Sequence, residues 1–138
     1  MAAASGQFAV GEASIDRLHE ECETLLAQLA ADLDAQRDAS AALQNLQQHL
    51  ERHFEHEEQL MSASSFPPAG CHQREHASVL EVVAEVRRRY SDGDRDPAAR
   101  LAAAMFEWFG VHAYSMDAAL AAWLSASSDV AITANSVP

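Results

Sequence analysis

Basic residues are scarce in this chain of 138 residues. Nine Lys and Arg residues stand against 21 Asp and Glu residues, which gives a formal net charge of −12. A protein with this charge repels the phosphates of nucleic acids and the surfaces of anionic membranes. The composition therefore argues against both as partners, and it is compatible with the binding of cations.

Glycine, proline, cysteine and aromatic residues are also few, with 5 Gly, 4 Pro, 2 Cys and 7% aromatic residues. Two cysteines do not make a disulfide framework, and a composition poor in Gly and Pro but rich in alanine suits packed helices. No apolar run reaches the ~18–20 residues of a membrane span, and no secretory signal is visible near the first residue. We therefore expect a cytoplasmic protein that does not cross a membrane.

Hydrophobic periodicity divides the chain into four amphipathic segments. The predicted helices span residues 12–36, 40–62, 70–90 and 97–125. Short polar turns join them, and connections of this length make neighbouring helices antiparallel. The prediction is an all-α protein, an up-down-up-down antiparallel four-helix bundle over residues 12–125. An N-terminal arm at 1–11 and a flexible Ser/Ala-rich tail at 126–138 would flank the bundle.

The second predicted helix carries two polar residues within its apolar stripe. His53 and Glu57 are four residues apart and lie about 40° from each other around a helix. Leu46, Leu50 and Leu60 share their face. Burial of an imidazole beside a carboxylate is costly unless a third group pairs with both. A metal ion would do so.

The other three helices also direct histidines inward. His72 and His76 lie on an apolar seam four residues apart, His112 belongs to a stripe on the fourth helix, and His19 lies at the edge of the stripe on the first. A lone inward histidine is commonly a packed core residue. Ligand-type residues that face inward from all four helices are hard to explain by packing, so the pattern predicts a metal site in the bundle core.

Asp117 fits this site only if the fourth helix is irregular. Five residues separate it from His112, about 140° on an ideal helix, so Asp117 would point away from the site. One extra residue in a turn would bring Asp117 and Leu120 inward. We therefore predict a π-bulge or wide turn between residues 112 and 117, a distortion that is frequent at functional sites.

Other polar residues fall outside the predicted site. On the second helix, Glu58 is about 110° from the centre of the stripe, His56 about 90° and His49 about 70°. We expect Glu58 in solvent and both histidines exposed or at the boundary. Cys22 and Cys71 have no Cys-x-x-Cys spacing, and buried or boundary free thiols are favoured over zinc ligands.

The full set of residues resembles the hemerythrins, in particular the single-domain bacterial ones, over residues 8–125. The motifs that carry the resemblance are Ile15-Asp16-x-x-His19, His53-Phe54-x-x-Glu57-Glu58-x-x-Met61, His72-x-x-x-His76 and Trp108-x-x-x-His112-x-x-x-x-Asp117-x-x-Leu120. The resemblance implies a cofactor of two iron ions with a bridging oxo or hydroxo group. The metal ligands that it implies are His19, His53, Glu57, His72, His76, His112 and Asp117.

By this resemblance the two irons have unequal ligand sets. One iron would be held by His72, His76 and His112, the other by His19 and His53, and both would be bridged by Glu57 and Asp117. Two octahedral irons have twelve ligand positions, of which five histidines, two bridging carboxylates and one bridging oxygen fill eleven. The open position lies on the iron with two histidines, where dioxygen can bind. The implied function is reversible dioxygen binding for carriage, storage or sensing.

The surroundings of His112 depart from the family pattern. Bulky aliphatic residues usually shield the oxygen pocket there, whereas this chain has Ala113 and Tyr114. These two residues and Trp108 are the candidates for the pocket wall. Tyr114 could donate a hydrogen bond to a bound ligand, or it could lie at a helix boundary, and the boundary position is favoured.

These departures leave a second function open, a di-iron enzyme that acts on hydrogen peroxide or nitric oxide. A ferritin-like site would use Glu-x-x-His pairs, and no histidine of the predicted site has a glutamate three residues before it. A structural zinc bundle is a further alternative. The expected partner is dioxygen or another small diatomic or peroxide ligand, and the sequence indicates no particular protein partner.

Overall fold

The computed structural model describes the backbone of residues 7–135 and the side chains of residues 7–127, and all regular structure in this part of the chain is helical. The elements are α1 (Ala13–Asp34), α2 (Ser40–Ser64), α3 (Ala69–Ser91), α4 (Asp96–His112), a π-helical turn (Ala113–Asp117) and α5 (Ala118–Asn135). The last three follow one another directly and form the fourth helix of the bundle. α1 and α3 each pack against α2 and α4. The predicted four-helix bundle is confirmed.

Local sequence signals set the helix ends near the predicted site. The Glu12 carboxylate caps α1 by accepting a hydrogen bond of 2.9 Å from the Ile15 N–H, a donor that has no partner within the helix. Ser65 ends α2 in the left-handed region, with φ at 57°. Two prolines follow, and they prevent α2 from continuing. The chain therefore reverses within a few residues of the site.

The apolar core consists of two clusters with the polar residues between them. The larger cluster includes Leu26, Leu46, Val83 and Met105, and the smaller one contains Ile15, Met61, Phe66 and Leu120. Along each helix of the bundle, the residues of the predicted site lie between members of these two clusters. Close packing on both sides holds the backbone of all four helices rigidly around the site.

The N-terminal segment is packed against the bundle at residues 8–11. Phe8 is buried, and its ring centroid lies 4.7 Å from that of Phe109 on α4. The N–H groups of Val10 and Gly11 donate to the Asp16 carboxylate at 2.7 and 3.2 Å. Part of the predicted arm is thus a fixed part of the core, while residues 1–6 lie outside the described residues.

The predicted distortion of the fourth helix is confirmed. The π turn spans Ala113–Asp117, and it brings the Asp117 side chain inward, where it is fully buried. α5 then continues to Asn135, ten residues beyond the predicted helix end at 125. The predicted tail is therefore helical over 126–135, and its last residues, 136–138, lie outside the described part of the chain. Among the described helices, none combines the length and hydropathy needed to cross a bilayer.

Deletion of Ser115 should convert the π turn into an ordinary α turn. His112 and Asp117 would then be four residues apart on one face of the helix, and Leu120 would remain inward. We expect a folded protein that binds metal roughly tenfold or more weakly, because the Asp117 carboxylate moves about 1.5 Å along the helix. Circular dichroism and metal titration measure the two effects.

The substitution Ser115→Ala is the control for this deletion. It removes only the Ser115 hydroxyl, which donates to the Val111 carbonyl at 2.6 Å, and it should leave metal binding unchanged. Unaltered metal affinity in the deletion variant would show that the π turn is not needed for the site.

Candidate metal centre

Seven buried polar residues meet between the two apolar clusters, and they are the seven that the sequence analysis gives as metal ligands. Their ligand atoms fall into two groups, and within each group all of them lie within 4.8 Å of one another. The three-histidine group consists of His72, His76 and His112 with Glu57 and Asp117. The two-histidine group consists of His19 and His53 with the same two carboxylates.

One oxygen of each carboxylate faces the three-histidine group. Asp117 Oδ1 lies 3.0 Å from His72 Nε2 and 3.1 Å from His112 Nε2. Glu57 Oε1 lies 3.2 Å from His76 Nε2 and 3.4 Å from His72 Nε2. Three imidazole nitrogens and two carboxylate oxygens therefore converge on one point of the core.

The second oxygen of each carboxylate faces the two-histidine group. Asp117 Oδ2 lies 2.9 Å from His19 Nε2. Glu57 Oε2 lies 2.8 Å from His53 Nε2 and 3.8 Å from His19 Nε2. Glu57 and Asp117 thus lie between the two groups of histidines. Each carboxylate directs one oxygen toward each group.

Hydrogen bonds alone do not satisfy this cluster. Glu57 Oε1, Asp117 Oδ1 and His76 Nε2 are buried and, although other polar atoms lie close to them, none of these neighbours is at a hydrogen-bonding angle. Such unpaired polar atoms are rare in folded proteins. The imidazole nitrogens of the cluster lie as close as 2.8–3.4 Å to a carboxylate oxygen. Neighbouring ligand atoms on an octahedral ion lie about 3.0 Å apart when each metal–ligand bond is about 2.1 Å. The residues present therefore fit two metal ions.

Carboxylates orient two imidazoles of the three-histidine group from outside. His76 Nδ1 donates to Glu58 Oε2 at 2.9 Å, and His112 Nδ1 donates to Glu75 Oε1 at 2.9 Å. A proton on Nδ1 leaves the Nε2 lone pair free to bind metal, and such outer partners fix the orientation of metal-binding histidines. His72 Nδ1 is buried and has no hydrogen-bond partner.

Neutral groups orient the imidazoles of the two-histidine group. His19 Nδ1 donates to the Phe8 carbonyl at 2.8 Å. His53 Nδ1 lies 3.1 Å from His49 Nε2. The N-terminal segment and the first half of α2 therefore orient histidines of the site, although Phe8 and His49 do not belong to the converging groups themselves.

The predictions for His49 and Glu58 are corrected by these contacts. His49 is buried with 1% of its surface exposed, because α1 covers the side of α2 that an isolated helix would leave open. Glu58 is partly exposed and reaches His76 on α3 instead of pointing into solvent. His56 is partly exposed, as expected at a boundary, and its Nε2 lies 2.8 Å from Ser14 Oγ.

Glu75 and His49 are site residues that sequence reasoning missed. His49 precedes His53 by four residues, so the two imidazoles are neighbours on one helix. Glu75 lies immediately before His76 in sequence but serves His112 on another helix. The signal that could have indicated them is the need of each metal-binding imidazole for an acceptor at Nδ1.

Aromatic rings pack against histidines of both groups. The Phe54 ring stacks on His76 with centroids 3.9 Å apart, and Trp108 stacks on His112 with centroids 4.5 Å apart. Phe109, which sequence reasoning missed, meets His19 edge-on at 4.8 Å. Contacts of this kind restrict rotation of the imidazoles.

The predicted pocket residues have different positions. Trp108 contacts the three-histidine group through His112. Ala113 is fully buried in the π turn, and its part in a pocket wall stays a prediction. Tyr114 is exposed, and its hydroxyl donates to the Gln7 carbonyl. The π turn directs Tyr114 outward, so this residue lies on the surface within the fourth helix, neither in a ligand pocket nor at a helix boundary as predicted.

The charges of the buried cluster stabilise one another. Burial disfavours the charged form of His19, but the carboxylates of Asp117 and Glu57 outweigh burial and raise the pKa of His19 to about 10. The same opposing effects raise the pKa of His72 to about 9. Burial also disfavours ionised Glu57 and Asp117, yet the surrounding histidines hold the pKa of both carboxyls well below the ordinary value.

His49 has the opposite character. Its burial, followed by the proximity of His53 and Arg52, lowers the pKa of His49 to about 3. The imidazole is therefore neutral near neutral pH, and its Nε2 lone pair can accept a hydrogen bond from His53.

Both cysteines are free thiols, as predicted. Cys22 is buried, and burial raises the pKa of its thiol to about 12, so it is a packing residue. Cys71 is exposed instead of buried or at a boundary. Neither belongs to the two groups of converging ligand atoms.

The fold and the site define a four-helix bundle with a buried metal site of histidines and shared carboxylates. A family model described as "Hemerythrin HHE cation binding domain" matches residues 10–124. This chain therefore belongs to the hemerythrin family. Over 69 residues it is 44% identical to the protein named Bacteriohemerythrin from Ralstonia nicotianae, and this stretch is 50% of either chain. The chain thus spans about half the length of this curated relative. No solved structure matches the chain significantly.

Metal binding should release protons. The pKa values of about 10 for His19 and about 9 for His72 keep both imidazoles protonated in the metal-free protein near neutral pH, whereas a metal needs their lone pairs. Because protons compete with the metal, the apparent affinity should rise with pH and level off above about 10. Loading of both groups should release about two protons per chain.

Isothermal titration calorimetry in buffers of different ionisation enthalpy counts these protons. Metal affinity that does not change between pH 6 and pH 9, with release of less than about one proton per chain, would contradict the charge state assigned to the metal-free cluster.

Proposed function

We propose that this protein holds two iron ions in the bundle core and binds dioxygen reversibly at one of them. The three-histidine group would hold one iron and the two-histidine group the other, with Glu57 and Asp117 as bridges and an oxo or hydroxo group as a further bridge. When bound, an iron pair supplies two electrons and an open coordination position for dioxygen.

The division of the carboxylate oxygens is the observation that carries the proposal. Glu57 and Asp117 each direct one oxygen toward the three-histidine group and the other oxygen toward the two-histidine group. If two octahedral ions share both carboxylates and one bridging oxygen, the ion with three histidines has all six of its positions filled. The ion held by His19 and His53 has five positions filled and one open. The two-histidine group is therefore the proposed place for dioxygen.

Phe109 and Phe8 support reversible binding at the two-histidine group. The Phe109 ring lies 4.8 Å from His19 and 6.1 Å from His53 between centroids, and Phe8 packs on Phe109 at 4.7 Å. Both phenylalanines are buried. Apolar walls of this kind exclude water from a reactive site and suppress side reactions of a bound ligand. Ala113 is proposed as a further part of this wall.

A di-iron enzyme for hydrogen peroxide or nitric oxide is the second candidate. The small side chain of Ala113 next to His112 supports it, because a wider pocket admits such ligands and water. Tyr114 does not support it, since its hydroxyl is engaged with the Gln7 carbonyl at the surface. A cytoplasmic location stays a prediction from the composition.

Absorption spectra of the ferrous protein test the proposed function. An anaerobic sample should be nearly colourless, gain visible charge-transfer bands on exposure to oxygen, and lose them when oxygen is removed. Stopped-flow spectra that show rapid irreversible conversion to the ferric form, with turnover of peroxide or nitric oxide, would support the enzyme instead. Zinc at one ion per chain after growth in iron-replete medium would contradict the iron assignment.

The substitution Glu57→Ala should weaken metal binding in both groups. It removes an oxygen from each group and takes away the carboxylate that four histidines contact, which leaves Asp117 as the one buried carboxylate of the cluster. Iron content should therefore fall from two ions per chain to about one or less. Elemental analysis and the visible spectrum measure the loss.

Glu55→Ala is the matched control. It removes the same charge from the exposed side of α2 and should retain both irons. A Glu57→Ala protein with two irons and an unchanged spectrum would contradict the bridging role.

A further inference from the structure

The two groups of ligands differ in what accepts the Nδ1 proton of each histidine. In the three-histidine group, carboxylates accept from His76 and His112. In the two-histidine group both acceptors are neutral, a backbone carbonyl for His19 and an imidazole, that of His49, for His53. The outer partners are therefore unequal in charge as well as in kind.

The difference in charge between the Nδ1 acceptors changes how strongly the Nε2 atom of each histidine binds a metal. A carboxylate draws the Nδ1 proton toward itself and leaves more electron density on Nε2, which makes the imidazole a stronger metal ligand. A carbonyl or imidazole acceptor orients the ring but polarises it less. Metal affinity commonly changes 10- to 100-fold, roughly, when such a partner is removed.

His49 is built into the core as an acceptor. Its side chain is buried, its Nε2 lies 3.1 Å from His53 Nδ1, and the two rings meet edge-on at 79°. When Nε2 accepts, the His49 proton must reside on Nδ1. That atom faces α1, where the half-exposed Glu21 carboxylate is 3.8 Å away. The pair His53 and His49 thus extends from the metal site to the edge of α1.

We propose that His49 is the positioning residue of the two-histidine group, and that its neutral acceptor makes this group the weaker and more labile of the two metal positions. The inference rests on the two-metal site proposed above. The weaker position is also the one with the open coordination position. The metal ion that binds dioxygen would then be the more electron-poor of the two. The other metal ion would be held more tightly, by histidines whose Nδ1 protons are accepted by carboxylates.

Release of iron to a chelator tests this asymmetry in the intact chain. Protein loaded anaerobically with ferrous iron and mixed with excess chromogenic ferrous chelator should lose its irons in two phases of equal amplitude, the fast one from the two-histidine group. His49→Phe keeps an aromatic ring but removes the acceptor, so the fast phase should accelerate roughly tenfold or more. The slow phase should change little.

Two further variants separate positioning from packing. His49→Gln retains an acceptor oxygen and should restore a fast phase close to that of the unmodified protein. His49→Glu supplies a carboxylate acceptor and should slow the fast phase below it. His56→Phe, which alters a histidine of the same helix that contacts Ser14 instead of a ligand, is the control and should change neither phase. Circular dichroism of the metal-free variants monitors folding.

The outcomes distinguish this inference from the proposed function. An order of release rates of Phe above His and Gln, with Glu slowest, supports the role of His49. Two irons that leave in a single phase, or a fast phase that is the same in the Gln and Glu variants, overturn it while the two-metal proposal stands. Unmodified protein that takes up fewer than two irons overturns the two-metal proposal itself. If His49→Phe does not fold, the comparison of Gln with Glu decides.

Discussion

Burial of the Glu57 and Asp117 carboxylates is the constraint on which the rest of this structure depends. Both side chains have no exposed surface, and an ionised carboxylate withdrawn from water costs several kcal/mol unless positive charge surrounds it. In the metal-free protein, protonated histidines supply that charge. Metal ions would supply more of it and would also satisfy the oxygens that have no hydrogen-bond partner.

Each unusual feature of the fold serves these two carboxylates. The π turn places one extra residue in a turn of the fourth helix, so that Asp117 reaches the same point as His112. The apolar clusters on either side of the site keep the helices at a fixed separation, so the oxygens meet imidazoles from all four helices. An outer ring of acceptors then orients the imidazoles. The site is thus preorganised by the fold.

The sequence predicts the architecture and the inward position of the histidines and carboxylates because both follow from periodicity. His53 and Glu57 lie in an apolar stripe, and the conflict between the five-residue spacing of Asp117 and an ideal helix predicts the π turn that the structure shows. The resemblance to hemerythrins supplied what spacing alone does not, namely which histidines share a metal.

The outer partners could not be predicted in the same way. A helical wheel gives the direction of a side chain from one axis, but it does not say what the next helix brings to that side. His49 is buried because α1 covers it, Glu58 finds His76 across the α2–α3 contact, and Glu75 finds His112 across the α3–α4 contact. Phe8 lies in a segment with no periodicity, so its packing on Phe109 has no sequence signal.

The central claim is that Glu57 and Asp117 each join two metal ions. Anomalous diffraction from crystals of the iron-loaded protein, recorded on both sides of the iron absorption edge, tests it most directly. Two iron peaks per chain are expected, one within the three-histidine group and one within the two-histidine group, and each peak should lie next to one oxygen of Glu57 and one oxygen of Asp117. A single peak, or two peaks of which one lacks contact with Glu57 or Asp117, would contradict it.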